Sequence, residues 1–476
     1  MINISNRREC FFDDTMVDNS RTTAEFLLHH PERKNVVMTF DSAWEGNAST
    51  YFNFFEDGEI IRMYYLGRGS DHEKNIVVCY AESRDAGKTW VKPILNICEY
   101  NGSSENNIIV DGAMVFDSPI DNFMVFKDNN PNCTAEAKYK ALAALKKDGQ
   151  LALRYMCSAD GIHFADGGVL TADGHFDTLN VAFWDEDAEL YRCYFRGFHE
   201  SGSDGIAEWS EENVRDIRYM ESKDFINWSE AKLLVFNDDE DVALYTNSVQ
   251  KYQRARQILI GFPTRYLYRR SWSGNYDELC GKEARLKWME TLERLGLVIT
   301  DCAFMTSRDG IHFKKYNEAF IRPGPEKGNN WVYGDCYPAY GFLETPSDIE
   351  GEDNVLTMYV PDGHLGNAPV KLARYTIRCD GFVSMHAGEK EKMCVTKPFT
   401  FKGRDLFVNF STSALGYMYF TLVDERGNRY ESCETFGDRI DRRISFDSGV
   451  VEKLSGKPVT LEVRMRDADL YSVMFR

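Results

Sequence analysis

Short runs of alternating apolar and polar residues dominate the chain, and they come in pairs. Residues 51–55 are followed by 60–66, 113–116 by 122–126, 181–184 by 190–195, 248–252 by 257–262, and 339–343 by 355–360. A period of two is the signature of β-strands with one face turned to a core. Further strands are expected at 76–81, 151–157, 217–221, 302–306 and 370–377, each leading into a turn.

That turn is an internal repeat. Ser83-Arg84-Asp85-Ala86-Gly87-Lys88-Thr89-Trp90 returns as Ser158-Ala159-Asp160-Gly161-Ile162-His163-Phe164. It returns again as Ser222-Lys223-Asp224-Phe225-Ile226-Asn227-Trp228 and as Ser307-Arg308-Asp309-Gly310-Ile311-His312-Phe313. A degenerate copy is Arg378-Cys379-Asp380-Gly381-Phe382. Serine ends a strand, Asp caps backbone N–H groups, Gly supplies a positive φ, and the aromatic plugs an apolar layer. Five copies, each with its inner strand pair, predict an all-β fold with a five-bladed β-propeller. The turn residues are expected to be structural.

The pattern changes toward the C-terminus. Strands at 406–410, 417–423 and 459–465, separated by turns such as Asp424-Glu425-Arg426-Gly427, predict a β-sandwich. The expected division is a propeller over 1–385, carrying the catalytic site, and a sandwich over 386–476. One segment breaks the β pattern: 280–296 reads as a helix with Leu286, Met289, Leu292 and Leu295 on one face and Gly296 as its stop. It falls inside the fourth blade, where rim packing, a lid or a contact between copies of the chain are all open. A homo-oligomer stays open with it.

The innermost strand of each blade faces the propeller axis, so polar residues at its head converge in one funnel. Blade one offers Asp41, Trp44, Glu45 and Asn47; blade two Asn107; blade three Asp177 and Asn180; blade four Tyr245 and Asn247; blade five Trp331 and Asp335. The ends of second strands add Arg68, Asp128, Arg196, Arg265 and His364. Any one of these can cap a strand end. Together they suit a sugar, whose rings stack on aromatics and whose hydroxyls bind amides, carboxylates and arginine. Glycoside cleavage needs two carboxyls of unlike pKa. Glu45, Asp177, Asp335 and Asp41 are the candidate catalytic residues. Trp44, Arg68, Asn107, Asp128, Asn180, Arg196, Asn247, Arg265 and His364 are the candidate substrate contacts. Glu45, Asp177 and Asp335 would project into one funnel from blades one, three and five, and a working pair on non-adjacent blades, facing each other across the axis, favours inversion.

Composition narrows the function classes. The formal charge is −19, from 56 Lys and Arg against 75 Asp and Glu, which disfavours nucleic acid and anionic membrane surfaces as partners. No apolar run approaches the ~18 residues of a membrane span, and the first ten residues lack an apolar signal core. Twelve cysteines are scattered without a C-x-x-C pair, as in a reduced cytoplasmic protein. H-E-x-x-H, P-loop and G-x-S-x-G motifs are absent, and no cofactor or metal is expected.

Several stretches carry a family resemblance. Phe12-Asp13-Asp14, His30-Pro31, Asp41-Ser42-Ala43-Trp44-Glu45-Gly46 and Arg62-Met63-Tyr64-Tyr65 resemble the opening of bacterial propeller proteins of glycosidase type. Phe126-Lys127-Asp128-Asn129-Asn130-Pro131, Phe176-Asp177-Thr178-Leu179-Asn180 and Gly261-Phe262-Pro263-Thr264-Arg265-Tyr266 are similar to their later motifs. So is the tail, Arg464-Met465-Arg466-Asp467-Ala468-Asp469-Leu470-Tyr471-Ser472. More distantly the architecture resembles glycoside hydrolase families 32 and 43, which place three acids in the funnel; their W-x-N-D-P-N-G motif is only echoed in Asp41-Ser42-Ala43-Trp44. The resemblance implies hydrolysis of a furanoside or related sugar at a chain end, in a small carbohydrate or oligosaccharide. Two alternatives stay open: a sialidase-type enzyme, or a sugar-binding or phosphorylase propeller that uses Arg68, Arg196 and Arg265 for an anion.

Overall fold

The computed structural model describes residues 1–69, 76–112, 120–147, 150–238, 240–328 and 330–476. Five antiparallel sheets ring one axis. Blade one is Thr50–Asp57, Ile60–Gly67, Val77–Ser83 and Ile108–Asp111. Blade two is Ile120–Lys127, Tyr139–Lys147, Gln150–Ser158 and Ala165–Thr171. Blade three is Val181–Asp185, Leu190–His199, Val214–Ser222 and Lys232–Leu233. Blade four pairs Gln250–Lys251 with Leu259–Gly261; Val298–Ser307 and His312–Ile321 follow, with Val235–Phe236 parallel on the outside. Its second strand resumes past Pro263 as Thr264–Tyr268. Blade five is Leu343–Thr345, Val355–Asp362 and Lys371–Arg378, completed by Glu32–Thr39 from the start of the chain. That last strand closes the ring by hydrogen bonds, with the two chain segments meeting in one sheet.

Blade two differs from its sequence reading. The innermost strand is Ile120–Lys127, which the pattern makes the second; the expected 113–116 strand lies outside the described residues. Tyr139–Lys147 forms the true second strand, although Ala-, Leu- and Lys-rich sequence there favours helix. Pairing on both edges overrides that propensity.

The repeated turns lock neighbouring blades. In the second copy Ser158 Oγ accepts from Gly161 N at 2.9 Å, and Asp160 Oδ1 accepts from Ile162 and His163 N at 2.9 Å. The fourth copy repeats this at Ser307 and Asp309. The next step is between blades. Tyr64 of blade one donates to Gly161 O of blade two at 2.8 Å, Tyr194 of blade three to Gly310 O of blade four at 3.0 Å, and Tyr359 of blade five to Gly87 O of blade one at 2.7 Å. A Cβ on Gly87 would stand 1.9 Å from Tyr359 Oη, so the approach demands glycine. The third copy lacks glycine; Phe225 takes φ +65° and packs on Phe126 and Tyr155 of blade two.

A ten-stranded sheet system forms the C-terminal β-sandwich, built on the long pair Leu406–Asp424 and Val459–Phe475. The first residues of the chain join it rather than the propeller: Ile2–Ser5 pairs with Phe399–Phe401, Glu9–Cys10 with Val459–Phe475, and Glu25–Leu28 with Val383–Ala387. The expected 1–385 propeller span therefore differs at its start. Ile4, Phe11, Met16 and Val17 supply apolar side chains to the sandwich core, which sequence order alone does not reveal.

The degenerate fifth turn sits at the seam. Asp380 is fully buried and accepts from Tyr252 Oη at 2.6 Å, Arg254 Nε at 2.8 Å, Asn409 Nδ2 at 3.0 Å and Ser472 Oγ at 2.8 Å. Arg8 Nη1 lies 3.2 Å away. Burial opposes the charge, but Arg8 and Arg254 hold this carboxyl well below the usual carboxylate range.

Between the second and third strands of blade four, residues 269–297 carry three short helices: α1 Gly274–Glu278, α2 Lys282–Thr291 and α3 Glu293–Leu297. The single expected helix is broken at Leu292 (φ −153°, ψ 110°), and Leu286 is exposed rather than on a packed face. No helix among the described residues is long and apolar enough to cross a membrane.

Two outcomes follow for stability. Asp160→Ala or Asp309→Ala removes one turn cap and should cost about 0.5–2 kcal/mol in urea unfolding. Asp380→Asn should cost about 3 kcal/mol, the low end for a broken buried pair, because Asp441 and Glu344 still serve Arg8 and Arg254. Since folding lowers the Asp380 pKa, its contribution is complete above about pH 4 and is lost as pH falls below that. The Asp380→Asn and native proteins should thus converge in stability on acidification, as read by thermal melts across pH 2–7.

Candidate functional site

Strand direction decides which end of the propeller is open. The repeated turns join third and fourth strands at one end. Residues before each first strand and after each second strand gather at the other, and a cavity of about 620 Å³ opens there. All five blades line it, through Asn47, Thr50, Tyr51 and Arg68, then Asp121, Asp177, Tyr245, and Tyr333, Tyr337 and His364. The helical insert adds Lys287, Trp288, Thr291 and Leu295.

Buried asparagines on the inner strands set this geometry. Asn53 Nδ2 donates to Tyr64 O at 3.1 Å within blade one and to Phe123 O at 2.9 Å in blade two, while its Oδ1 accepts from Val125 N at 2.9 Å. Asn122 Nδ2 donates to Phe176 O at 2.7 Å. That bond ties the neighbour of Asp121 to the neighbour of Asp177, and so brings two carboxyls from adjacent blades together. Asn180 holds the same segment through Phe176 O and Thr178 O, and Thr178 Oγ1 donates to Tyr245 O of blade four at 2.9 Å.

The two carboxyls are unlike. Asp177 has 58% of its side chain exposed, with Arg196 Nη2 at 3.4 Å. Asp121 lies behind it, and its Oδ2 is buried without a hydrogen-bond partner. Burial first, then the charge of Asp177 and a hydrogen bond to it, push the Asp121 carboxyl up to about 8, against the pull of Arg196 and Arg68. At neutral pH Asp121 holds a proton. Arg196 is anchored by donating Nε to His175 O at 2.9 Å, and its guanidinium stands 4.9 Å from the Tyr245 ring centroid. Tyr245 stacks with Tyr266 at 5.9 Å and accepts from Tyr333 Oη at 3.0 Å. Burial and the charge of Arg68 push His364 down to about 4, so its imidazole is neutral at neutral pH.

The structure gathers some of the expected residues and not others. Asp177, Arg68 and His364 line the cavity, and Arg196 backs Asp177. Asn180 and Asn247 serve the seams between blades, Asn247 by donating to Tyr194 O at 3.3 Å. The expected trio of Glu45, Asp177 and Asp335 does not converge. Glu45 is buried in blade one, accepting from Tyr65 Oη at 2.6 Å, Lys92 Nζ at 2.5 Å and Ser42 N at 3.0 Å. Asp335 caps Val332 N at 3.1 Å beneath the cavity wall, where burial pushes its carboxyl up to about 7. Asp41 is exposed, 3.9 Å from Lys92. Trp44 Nε1 donates to Asn107 Oδ1 at 2.9 Å, and Asn107 continues to Tyr65 and Tyr80 O, so both hold a loop. Asp128 is paired with Lys140 and accepts from Tyr191 Oη at 2.6 Å, at the turn end of blade two. Arg265 is closed on Asp301 and Asn317 O. The arginine triad of a sialidase or phosphate site therefore does not form from Arg68, Arg196 and Arg265.

Asp121 is the residue that sequence reading misses. Its signal is present: an acid at the head of the alternating run 120–127, followed by an asparagine, as Asp177 is followed by Asn180. Assigning that run as a second strand reverses its direction, which moves Asp128 to the mouth and Asp121 away from it.

Neutralising Asp177 removes the charge that helps keep the proton on Asp121. In Asp177→Asn the Asp121 carboxyl should titrate below the native value of about 8, as read from its ¹³C carboxyl resonance.

No family model matches the chain, and no curated protein matches it. Solved structures align with it at low identity and low TM-score. An N-acetylgalactosamine deacetylase from F. plautii is 14% identical at a TM-score of 0.44, over 74% of this chain and 96% of that one. A fructofuranosidase from Schwanniomyces occidentalis is 11% identical at a TM-score of 0.39, over 97% of this chain and 98% of that one. An endo-arabinase from Bacteroides thetaiotaomicron is 10% identical at a TM-score of 0.41, over 72% and 97%. The chemistry of this chain rests on its own residues.

Proposed function

We propose that the chain is a glycosidase acting on a furanoside or related sugar at the end of a small carbohydrate or oligosaccharide. The observation that carries this reading is the Asp121–Asp177 pair, one carboxyl protonated at neutral pH and one facing an aromatic-walled cavity on the propeller axis.

Asp121 and Asp177 interact directly with one another, unlike the carboxyls of a retaining pair at about 5–5.5 Å or an inverting pair at about 6.5–9.5 Å, which flank the sugar. They act here as one acid unit on one side of the sugar. The pair holds one proton and delivers it to the glycosidic oxygen as the bond to the anomeric carbon breaks. Arg196 and Arg68 stabilise the doubly ionised pair that results. Water adds to the sugar cation, and the neutral imidazole of His364 is the base that takes the water's proton. Its pKa of about 4 resembles that of a carboxylate base. A second reading, phosphorolysis, is favoured by one observation: Arg68 lines the same cavity with its Nε buried and unpartnered. Phosphate would then replace water as the nucleophile.

The test is a panel of aryl furanosides and pyranosides, each assayed with and without phosphate. Asp121→Asn and Asp177→Asn should each lower kcat by about 10²–10⁴ with binding retained. The basic limb of kcat/KM should fall as pH rises through about 8, since the acid form of the pair is then lost. If no member of the panel is cleaved, or both variants keep kcat within threefold, the reading is wrong.

A further inference from the structure

After the second strand, blades three and five continue through the described connections 200–213 and 363–370. The fourth blade carries the longer 269–297, with α1 to α3. This insert is anchored rather than free. Tyr276, Leu279, Leu297 and Ile299 form a small apolar cluster, and Tyr276 Oη donates to Leu297 O at 2.8 Å. Arg285, fully buried on α2, donates Nη2 to Trp331 O at 2.5 Å, and Cys280 N donates to Glu326 Oε2 at 3.0 Å. Both acceptors lie on the segment leading into blade five, so the insert is stapled across the junction of blades four and five. In a five-membered ring that junction stands opposite blade two, which bears Asp121.

One face of α2 is left for the cavity. Lys287, Trp288 and Thr291 line it, with Leu295 of α3. Trp288 is half-buried, yet it makes no ring contact and no side-chain hydrogen bond among the described residues. An indole on an anchored helix, lining the same cavity as the carboxyl pair, is a flat apolar surface with a polar edge. A pyranose or furanose offers the matching C–H face.

We infer that the insert is a substrate-binding wall and that Trp288 is the platform on which the terminal sugar ring stacks. The wall blocks passage of a polymer across the mouth, which confines cleavage to a chain end. This rests on the glycosidase reading for its substrate class, and binding separates the two. The probes are methyl glycosides of arabinofuranose, fructofuranose, xylopyranose and mannopyranose, titrated by calorimetry and by saturation-transfer NMR. At least one should bind the native protein. Trp288→Ala should weaken its Kd by about tenfold or more, while Trp288→Tyr, which keeps a ring, should stay within about threefold. Asp121→Asn should bind like the native protein. Thr291→Trp, which fills the cavity from the same helix without altering Trp288, should abolish binding and decides the matter if Trp288→Ala melts early. Binding by Trp288→Ala or Thr291→Trp at native strength, or no binding of any probe to the native protein, overturns the platform. Trp288-dependent binding without cleavage of any aryl glycoside counts against the catalytic pair and leaves the platform standing.

Discussion

A buried aromatic on one blade, docked against the repeated turn of the next, is the contact on which the ring depends. Tyr64, Tyr194 and Tyr359 each spend their hydroxyl on a glycine carbonyl of the neighbouring turn. Tyr252 does the same work against Asp380, both donating to its carboxylate and accepting from its backbone N–H at 2.7 Å. A blade alone would expose both faces of a four-stranded sheet; the lock fixes how each face meets its neighbour and pairs the hydroxyls of Tyr64, Tyr194 and Tyr359 in the core. The lock at the fifth turn also reaches the sandwich, because Asp380 gathers Asn409, Ser472 and Arg8 as well. Propeller and sandwich therefore share one buried charge cluster, and the N-terminal strands that cross between them tie the same seam.

These locks sit at the end of the blades away from the cavity, which explains what was legible in the sequence. The turn chemistry is local, spanning about eight residues, so five copies announce five blades wherever their partners lie. The inner strands of blades one and three are equally legible, since their periodicity is local too, whereas the 339–343 strand expected in blade five is displaced to Leu343–Thr345. The acids are a different case. Glu45 and Asp177 look alike in sequence, but Glu45 meets Lys92 and Tyr65, and Asp177 meets Asp121 and a cavity. Which fate an acid has depends on residues far along the chain. Blade two shows how one misassigned strand propagates: because strands alternate in direction, it exchanged the open and closed ends of the blade and put Asp128 in the place of Asp121.

Charge is distributed against the average of the chain. The protein carries −19 overall, yet the cavity is flanked by Arg68, Arg196 and Lys287, with Arg215 stacked 3.9 Å over Tyr266 behind it. Two arginines near Asp121 would by themselves favour its ionised form. Burial and the adjacent Asp177 outweigh them, so the pair keeps one proton while remaining close to the cations that stabilise its loss. A site built this way is poised between protonation states, which an acid catalyst requires and a simple ion pair such as Asp185–Arg192 does not.

Backbone strain occurs at the cavity end as well as in the repeated turns. Tyr51 (φ +54°) and Leu365 (φ +54°) line the cavity in the left-handed region, and Trp331 (φ +63°) receives the Arg285 bond that holds the insert. Each costs about 1–2 kcal/mol for a residue with a Cβ. Such conformations persist only where surrounding bonds over-determine them. Around Tyr51 they do: Asn53 binds Tyr51 O, Tyr64 O and Phe123 O, and the Tyr340 backbone bonds Phe52 O at 2.8 Å and Phe54 N at 2.9 Å. The inner-strand asparagine thus joins blade one to blade two and holds Tyr51 in a conformation the chain would not choose alone. The bonds that join blade one to blade two and to Tyr340 are the same bonds that aim this part of the cavity wall.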